Sequence, residues 1–113
     1  MDRDMRDYKQ LMRVLENGYT MTHQEMSQVA EIVKALRAVG ASVQILADVG
    51  RGCPDLLIGH SGVNRLAEVK DPSKPKADQC LTPDQVKWHI EWGGQVAVVY
   101  TVADALRLIG VEL

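Results

Sequence analysis

Two apolar runs, Leu56-Leu57-Ile58 and Leu66-Ala67-Glu68-Val69, stand on either side of Gly59-His60-Ser61-Gly62-Val63-Asn64. A short glycine-containing connection between two β-type runs predicts a hairpin. Pro54 is tolerated at the first position of a strand, and the unbroken run Leu56 to Ile58 predicts burial on both faces. The returning strand reads from Arg65 to Lys70. Glu68 and Lys70 are two positions apart, so in an extended chain their side chains leave the same face. Asp55 opens the first strand and reaches the same end of the hairpin. Charge beside a core is costly unless it is paired or metal-bound. Two acids beside an amine therefore read in one of two ways. One is an oxygen-liganded divalent cation with an activated water; the other is a Glu68–Lys70 or Asp55–Lys70 ion pair at a strand edge.

The chain around this hairpin alternates helical and extended patterns. Tyr8, Leu11, Met12 and Leu15 form the apolar stripe of a short helix, stopped by Asn17-Gly18. Thr22-His23-Gln24-Glu25 has the form of a capping box. Met26, Val29, Ala30, Ile32, Val33 and Leu36 then give a broad apolar face that ends at Gly40. Two helices joined by a turn also allow a helix-turn-helix reading. The mixed charge of Glu25, Glu31, Lys34 and Arg37 favours core packing over a DNA groove. Ser42 to Leu46 alternates as a strand. Gly50 and Gly52 flank Arg51 in a turn that either lets backbone approach a ligand or simply makes a tight connection. Asp71 to Pro83 reads as an exposed loop, and Thr82-Pro83-Asp84-Gln85 as a helix start with a threonine cap and a capping-box glutamine. Trp88 and Trp92, one turn apart, are expected to pack on the sheet or on a partner chain. Val96 to Tyr100 reads as a second buried-type strand, and Thr101 caps a last helix through Leu106 and Ile109. The fold class is α/β, a small mixed β-sheet flanked by helices.

At 113 residues the chain is expected to be one domain: a helical extension over 1–21, a core over 22–100 and a C-terminal helix over 101–113. A net charge of −2 gives no overall basic character, although nucleic-acid binding depends on local charge. No apolar run approaches the roughly 20 residues of a membrane span, and Met1-Asp2-Arg3-Asp4 does not lead into a signal core. A cytoplasmic protein with no membrane partner is expected. Cys53 and Cys80 lack the spacing of paired zinc ligands, so ordinary thiols are a better reading than a scattered site with His60 and His89.

Gly52-Cys53-Pro54-Asp55-Leu56-Leu57, Glu68-Val69-Lys70-Asp71-Pro72 and Leu81-Thr82-Pro83-Asp84-Gln85, followed by Gly94 before a valine-rich strand, resemble the VRR-NUC (virus-type replication-repair nuclease) family. That family belongs to the PD-(D/E)xK nuclease superfamily. The resemblance runs from about Thr22 to Tyr100 with the motifs in family order. It implies a restriction-endonuclease-like core (α-β-β-β-α-β) and a Mg²⁺- or Mn²⁺-dependent endonuclease acting on DNA. By the same resemblance, Asp55 and Glu68 would be metal ligands together with the Val69 backbone carbonyl. Lys70 would orient or deprotonate the attacking water, and Gln85 would face the same site. The family's helix glutamate falls on Glu31, with Glu25 as the alternative, and Cys53 occupies a variable position. Arg51, Lys74, Lys76 and Lys87 are candidate phosphate contacts. Stand-alone members of phage and bacterial type imply a homodimer that cleaves branched DNA such as a Holliday junction, with Met12 and Trp92 among possible interface residues. A flap or duplex nuclease and a non-catalytic DNA-binding module are the alternatives.

Overall fold

A computed structural model describes residues 23–112. The expected first helix around Tyr8 to Leu15 and the Thr22 cap lie outside the described residues. Helix α1 (His23–Ala38) buries Val29, Ile32, Val33 and Leu36, the apolar stripe that its sequence periodicity predicts. It stops where Gly40 takes φ +92°. There the Gly40 N–H donates to Arg37 O at 3.0 Å and the Ala41 N–H to Leu36 O at 3.0 Å, closing a Schellman motif.

Four strands follow: β1 (Ser42–Ile45), β2 (Leu56–His60), β3 (Val63–Val69) and β4 (Val96–Val99). They lie in the order β1-β2-β3-β4, with β1/β2 and β2/β3 antiparallel and β3/β4 parallel, so the sheet is mixed as expected. The hairpin turn is tighter than its sequence suggests. His60 pairs with Val63, which leaves only Ser61 and Gly62 at the tip, both at positive φ. That two-residue geometry matches the twist of paired strands, so pairing extends into residues whose polarity had suggested loop.

Between β3 and β4 the chain forms a one-turn helix α2 (Lys76–Gln79) inside the expected loop, and then α3 (Pro83–Glu91). Both precede a parallel strand, because a parallel pair needs a long crossover. Helix α4 (Val102–Leu108) starts at Thr101 with a capping box to Asp104 and packs against α1. The core comprises the α1 stripe, Ala41, Val43, Ile45, Ala47, Leu56, Ile58, Ala67, Val99, Ala105, Leu106 and Ile109.

Strand β4 departs from its expected setting. It is an edge strand, and Val96, Ala97 and Val98 are only half-buried. An apolar run cannot distinguish a central strand from an edge strand covered on one side. Trp88 and Trp92 stack on each other with ring centroids 4.6 Å apart, and Trp92 remains exposed. None of the α3 residues is fully buried. Among the described residues, no helix is long and apolar enough to cross a membrane.

Candidate functional site

The β2/β3 register pairs Leu56 with Ala67, so one further step sets Asp55 opposite Glu68. Asp55 still belongs to the sheet, because its carbonyl accepts the Leu46 N–H at 2.7 Å. Its Oδ2 accepts the Val69 N–H at 2.8 Å, which ties the carboxylate across the hairpin to β3. Both acids are buried, Asp55 at 7% and Glu68 at 3% exposure. Like charges directly opposite each other repel. Burial, and then the Asp55 charge, push the Glu68 carboxyl up to about 9, against the opposing pull of Lys70. Glu68 Oε2 has no hydrogen-bond partner.

Helix α3 supplies the third side of the site. Thr82 Oγ1 accepts the Gln85 N–H at 3.3 Å, and Gln85 Oε1 accepts the Thr82 N–H at 2.9 Å, the reciprocal capping box. The same Gln85 Oε1 accepts from Lys70 Nζ at 2.8 Å, while Gln85 Nε2 donates to Glu68 Oε1 at 2.7 Å. Two donors on the carbonyl oxygen fix which way the amide faces, so its NH₂ is turned to the acid. The glutamine thus stands between Lys70 and Glu68 and connects them. A neutral amide does this without adding a third charge.

The loop from 48 to 53 passes close to the N-terminus of α3. Gly52 has φ +82°, and a Cβ there would fall 2.3 Å from Asp84 O and 2.8 Å from the Gln85 N atom. Gly52 therefore serves a close approach of backbone to backbone at the α3 N-terminus, whereas Gly50 shares the positive φ but meets nothing within 4 Å. Cys53 lies beside the acids. Burial, and then the Glu68 and Asp55 charges, raise its thiol pKa, which keeps it protonated and unreactive.

These elements enclose a cavity of about 110 Å³ lined by Gln28, Val29, Asp55, Glu68, Val69, Lys70, Asp71, Lys74, Asp78 and Gln85. It gathers Asp55, Glu68, Val69, Lys70, Gln85 and Lys74 from the residues singled out in the sequence. Other expected residues fall elsewhere. Glu31 is exposed and lines a neighbouring hollow with Ser27, Asp71 and Thr101. At about 100° per residue, three positions turn it some 60° away from Gln28, and that angle carries it off the cavity face. The Glu25 side chain lies outside the described residues. Arg51 and Lys76 are exposed, and Lys87 lines an apolar groove with Leu81, Pro83, Val86 and Ile90.

Three polar residues of the cavity, Gln28, Asp71 and Asp78, were not anticipated. Asp71 is buried at 8% exposure; Ser73 donates to its Oδ1 from both hydroxyl and backbone, which lowers its pKa, and its Oδ2 is unpartnered. Gln28 reaches from α1 to the backbone carbonyls of Lys70 and Tyr100. A signal for Gln28 does exist in the sequence. It falls in register with Ile32 and Leu36, and a glutamine on a core stripe must satisfy its amide inside the protein.

Among the described residues, no three His, Cys, Asp or Glu side chains cluster as a ready-made metal site. The cavity offers two opposed carboxylates, one with an unpartnered oxygen, and room for solvent. Such a set suits a hard cation that keeps several of its own waters, as Mg²⁺ does.

A solved structure described as a VRR_NUC domain is similar to this chain, with 30% sequence identity and a TM-score of 0.57, covering 78% of this chain and 96% of its own. The chain belongs to the VRR-NUC family. No family model and no curated protein matches it. Membership in VRR-NUC bears out the resemblance carried by the three motifs, and with it a nuclease fold built on a small mixed sheet.

Proposed function

We propose that this VRR-NUC protein is a divalent-cation-dependent endonuclease that hydrolyses DNA phosphodiesters, with branched DNA such as a Holliday junction as substrate and Mg²⁺ or Mn²⁺ as the cation. The observation that carries this reading is the unpartnered, buried Glu68 Oε2 opposite Asp55 in a solvent-sized cavity. Without a cation the pair keeps a proton on Glu68, and a bound cation would take that proton's place. Asp55 and Glu68 would hold the cation with the Val69 carbonyl. When bound, the cation neutralises both acids, lowers the pKa of water and offsets charge on the phosphoryl oxygens.

The remaining roles belong to the chain itself. Gln85 holds Glu68 Oε1, which would leave Oε2 to ligate the cation. Lys70, anchored on Gln85 Oε1, orients the attacking water and balances charge developing on the phosphate. Lys74 sits on the cavity wall, while Arg51 and Lys76 lie outside it on exposed segments, positions suited to phosphate contacts along the strand. A homodimer would present two such sites to two strands of a junction.

The test is cleavage of four-way junction, flap, single-strand and linear duplex DNA with Mg²⁺, Mn²⁺ or chelator, for wild type and Lys70→Ala. Cation-dependent cutting that Lys70→Ala reduces by a factor of about 100 or more is the expected result, and preference for the four-way junction supports the substrate assignment. Binding without cutting by wild type, on every substrate and with either cation, would leave a DNA-binding module instead.

A further inference from the structure

The last ladder bond between β3 and β4 is Lys70 N–H to Val99 O, at 2.9 Å. Beyond it the strands part. Asp71-Pro72 turns away, and Thr101 begins the cap of α4. The carbonyls of Lys70 and Tyr100 therefore have no further strand partner in this pair. Both are taken by one group, the Gln28 Nε2 amide of α1, with 3.0 Å to Lys70 O. An amide NH₂ has two hydrogens, and this one spends both on carbonyls that are 42 and 72 positions away in the chain.

We infer that Gln28 is the positioning residue of the site, a latch that fixes the backbone from which Lys70 enters the Gln85–Glu68 relay. The inference rests on the nuclease reading for its catalytic consequence, but its structural core does not depend on it. Lys70 follows the end of β3, where a strand frays most easily. Its side chain is held at Nζ by Gln85, and its backbone by Val99 on one side and Gln28 on the other. Removing the Gln28 donor takes the partner from two part-buried carbonyls and frees the peptide that carries the lysine. A misplacement on the order of 1 Å at a reacting group can cost a factor of about 100 in rate. The chemistry also explains why this position bears an amide and not a carboxylate. A glutamate here would have no hydrogens to donate and would face two carbonyl oxygens.

A simple helix-to-sheet brace would serve stability alone, and the two roles separate experimentally. Two variants serve, Gln28→Leu, which keeps the bulk, and Gln28→Glu, which keeps the length without the donor. Amide hydrogen exchange read by NMR should rise at least about tenfold at Lys70 while Leu56 and Ile58, in the central strand, exchange as in wild type. In cleavage, kcat should fall by about tenfold or more with KM for DNA nearly unchanged, and for Gln28→Leu, which adds no charge to the cavity, Mn²⁺ affinity measured by calorimetry should stay within about twofold. In a Lys70→Ala background Gln28→Leu should cost little further rate, because the latch acts through the lysine. Exchange at Lys70 that stays as slow as in wild type, or that rises together with the whole sheet, overturns the latch. Full additivity of the two substitutions overturns its action through Lys70. Failure of wild type to cut any DNA would count against the nuclease reading, and the exchange measurement would still decide the latch.

Discussion

Replacing Glu68 by glutamine should change how the metal-free protein's stability responds to pH. Burial and the opposed Asp55 lift the Glu68 carboxyl from 4.5 to about 9. In the unfolded chain the group loses its proton near the lower value, so between the two values folding takes up a proton. The folded state binds more protons than the unfolded state over this window, and stability must fall as pH rises through it. The contribution is fully present below 4.5. From pH 5 to 7 the loss is on the order of 2–3 kcal/mol, at 1.36 kcal/mol per unit of pKa difference. For a chain of this size that corresponds to about 10 °C in Tm. His89 contributes the opposite slope in the lower part of the window, because burial and then the Lys70 charge lower its pKa. The informative quantity is therefore the difference between wild type and Glu68→Gln, which share His89. The substituted amide keeps an oxygen for Gln85 and turns its NH₂ toward the Asp55 side, so the fold should persist. Thermal unfolding in chelator at pH 5, 6 and 7 reads the effect: the variant should gain on wild type steadily as pH rises. Adding Mg²⁺ should reverse the ordering at pH 7 and above, since a cation favours the ionised acid and binds with release of a proton. Parallel pH profiles for the two proteins would refute the assignment of Glu68 as a buried, proton-retaining acid.

Other perturbations test other parts of the argument. Gly52→Ala should destabilise by about 2 kcal/mol or more in denaturant titration, because it combines a left-handed backbone with a Cβ placed against the α3 backbone. Gly50→Ala shares the positive φ but meets nothing within 4 Å, so it should cost less, about 1 kcal/mol. Gln85→Glu keeps the capping box and the Lys70 partner but sets a carboxylate oxygen against Glu68. Stability at pH 8 should drop relative to wild type while helix content by circular dichroism is kept, and cleavage should fall about tenfold or more. Leu36→Ala, at a fully buried position, should cost about 2–5 kcal/mol by the same titration and leave Mn²⁺ binding to the remaining folded protein unchanged.

Much of the site follows from local rules, and those parts were legible in the chain. Apolar run, turn and apolar run specify a hairpin, and antiparallel pairing then brings Asp55 and Glu68 face to face with no help from the rest of the protein. The Thr82–Gln85 capping box is equally local, and it happens to aim a side chain that the site uses. Spacing on α1 predicted its buried stripe for the same reason, since a helix repeats every 3.6 residues wherever it sits. The identity of the nuclease family also lay in the ordered motifs, and a solved VRR_NUC domain bears it out.

What the chain could not reveal depends on contacts between distant segments. An apolar run is the same string whether its strand is central or at an edge, so only the assembled sheet placed β4 outside β3 and left Val96 to Val98 half-covered. A glycine's purpose depends on what stands opposite it, and only the packed loop showed that Gly52 makes way for α3. Which α1 residue faces the cavity depends on how the helix is rotated against the sheet. That rotation is set by burying Ile32, Val33 and Leu36, and it brings Gln28 to the acids while turning Glu31 to solvent. The hairpin thus determined by itself which two carboxylates meet; the tertiary packing decided what surrounds them, because a side chain's neighbours across a core are fixed by the fit of whole elements and not by its own place in the chain.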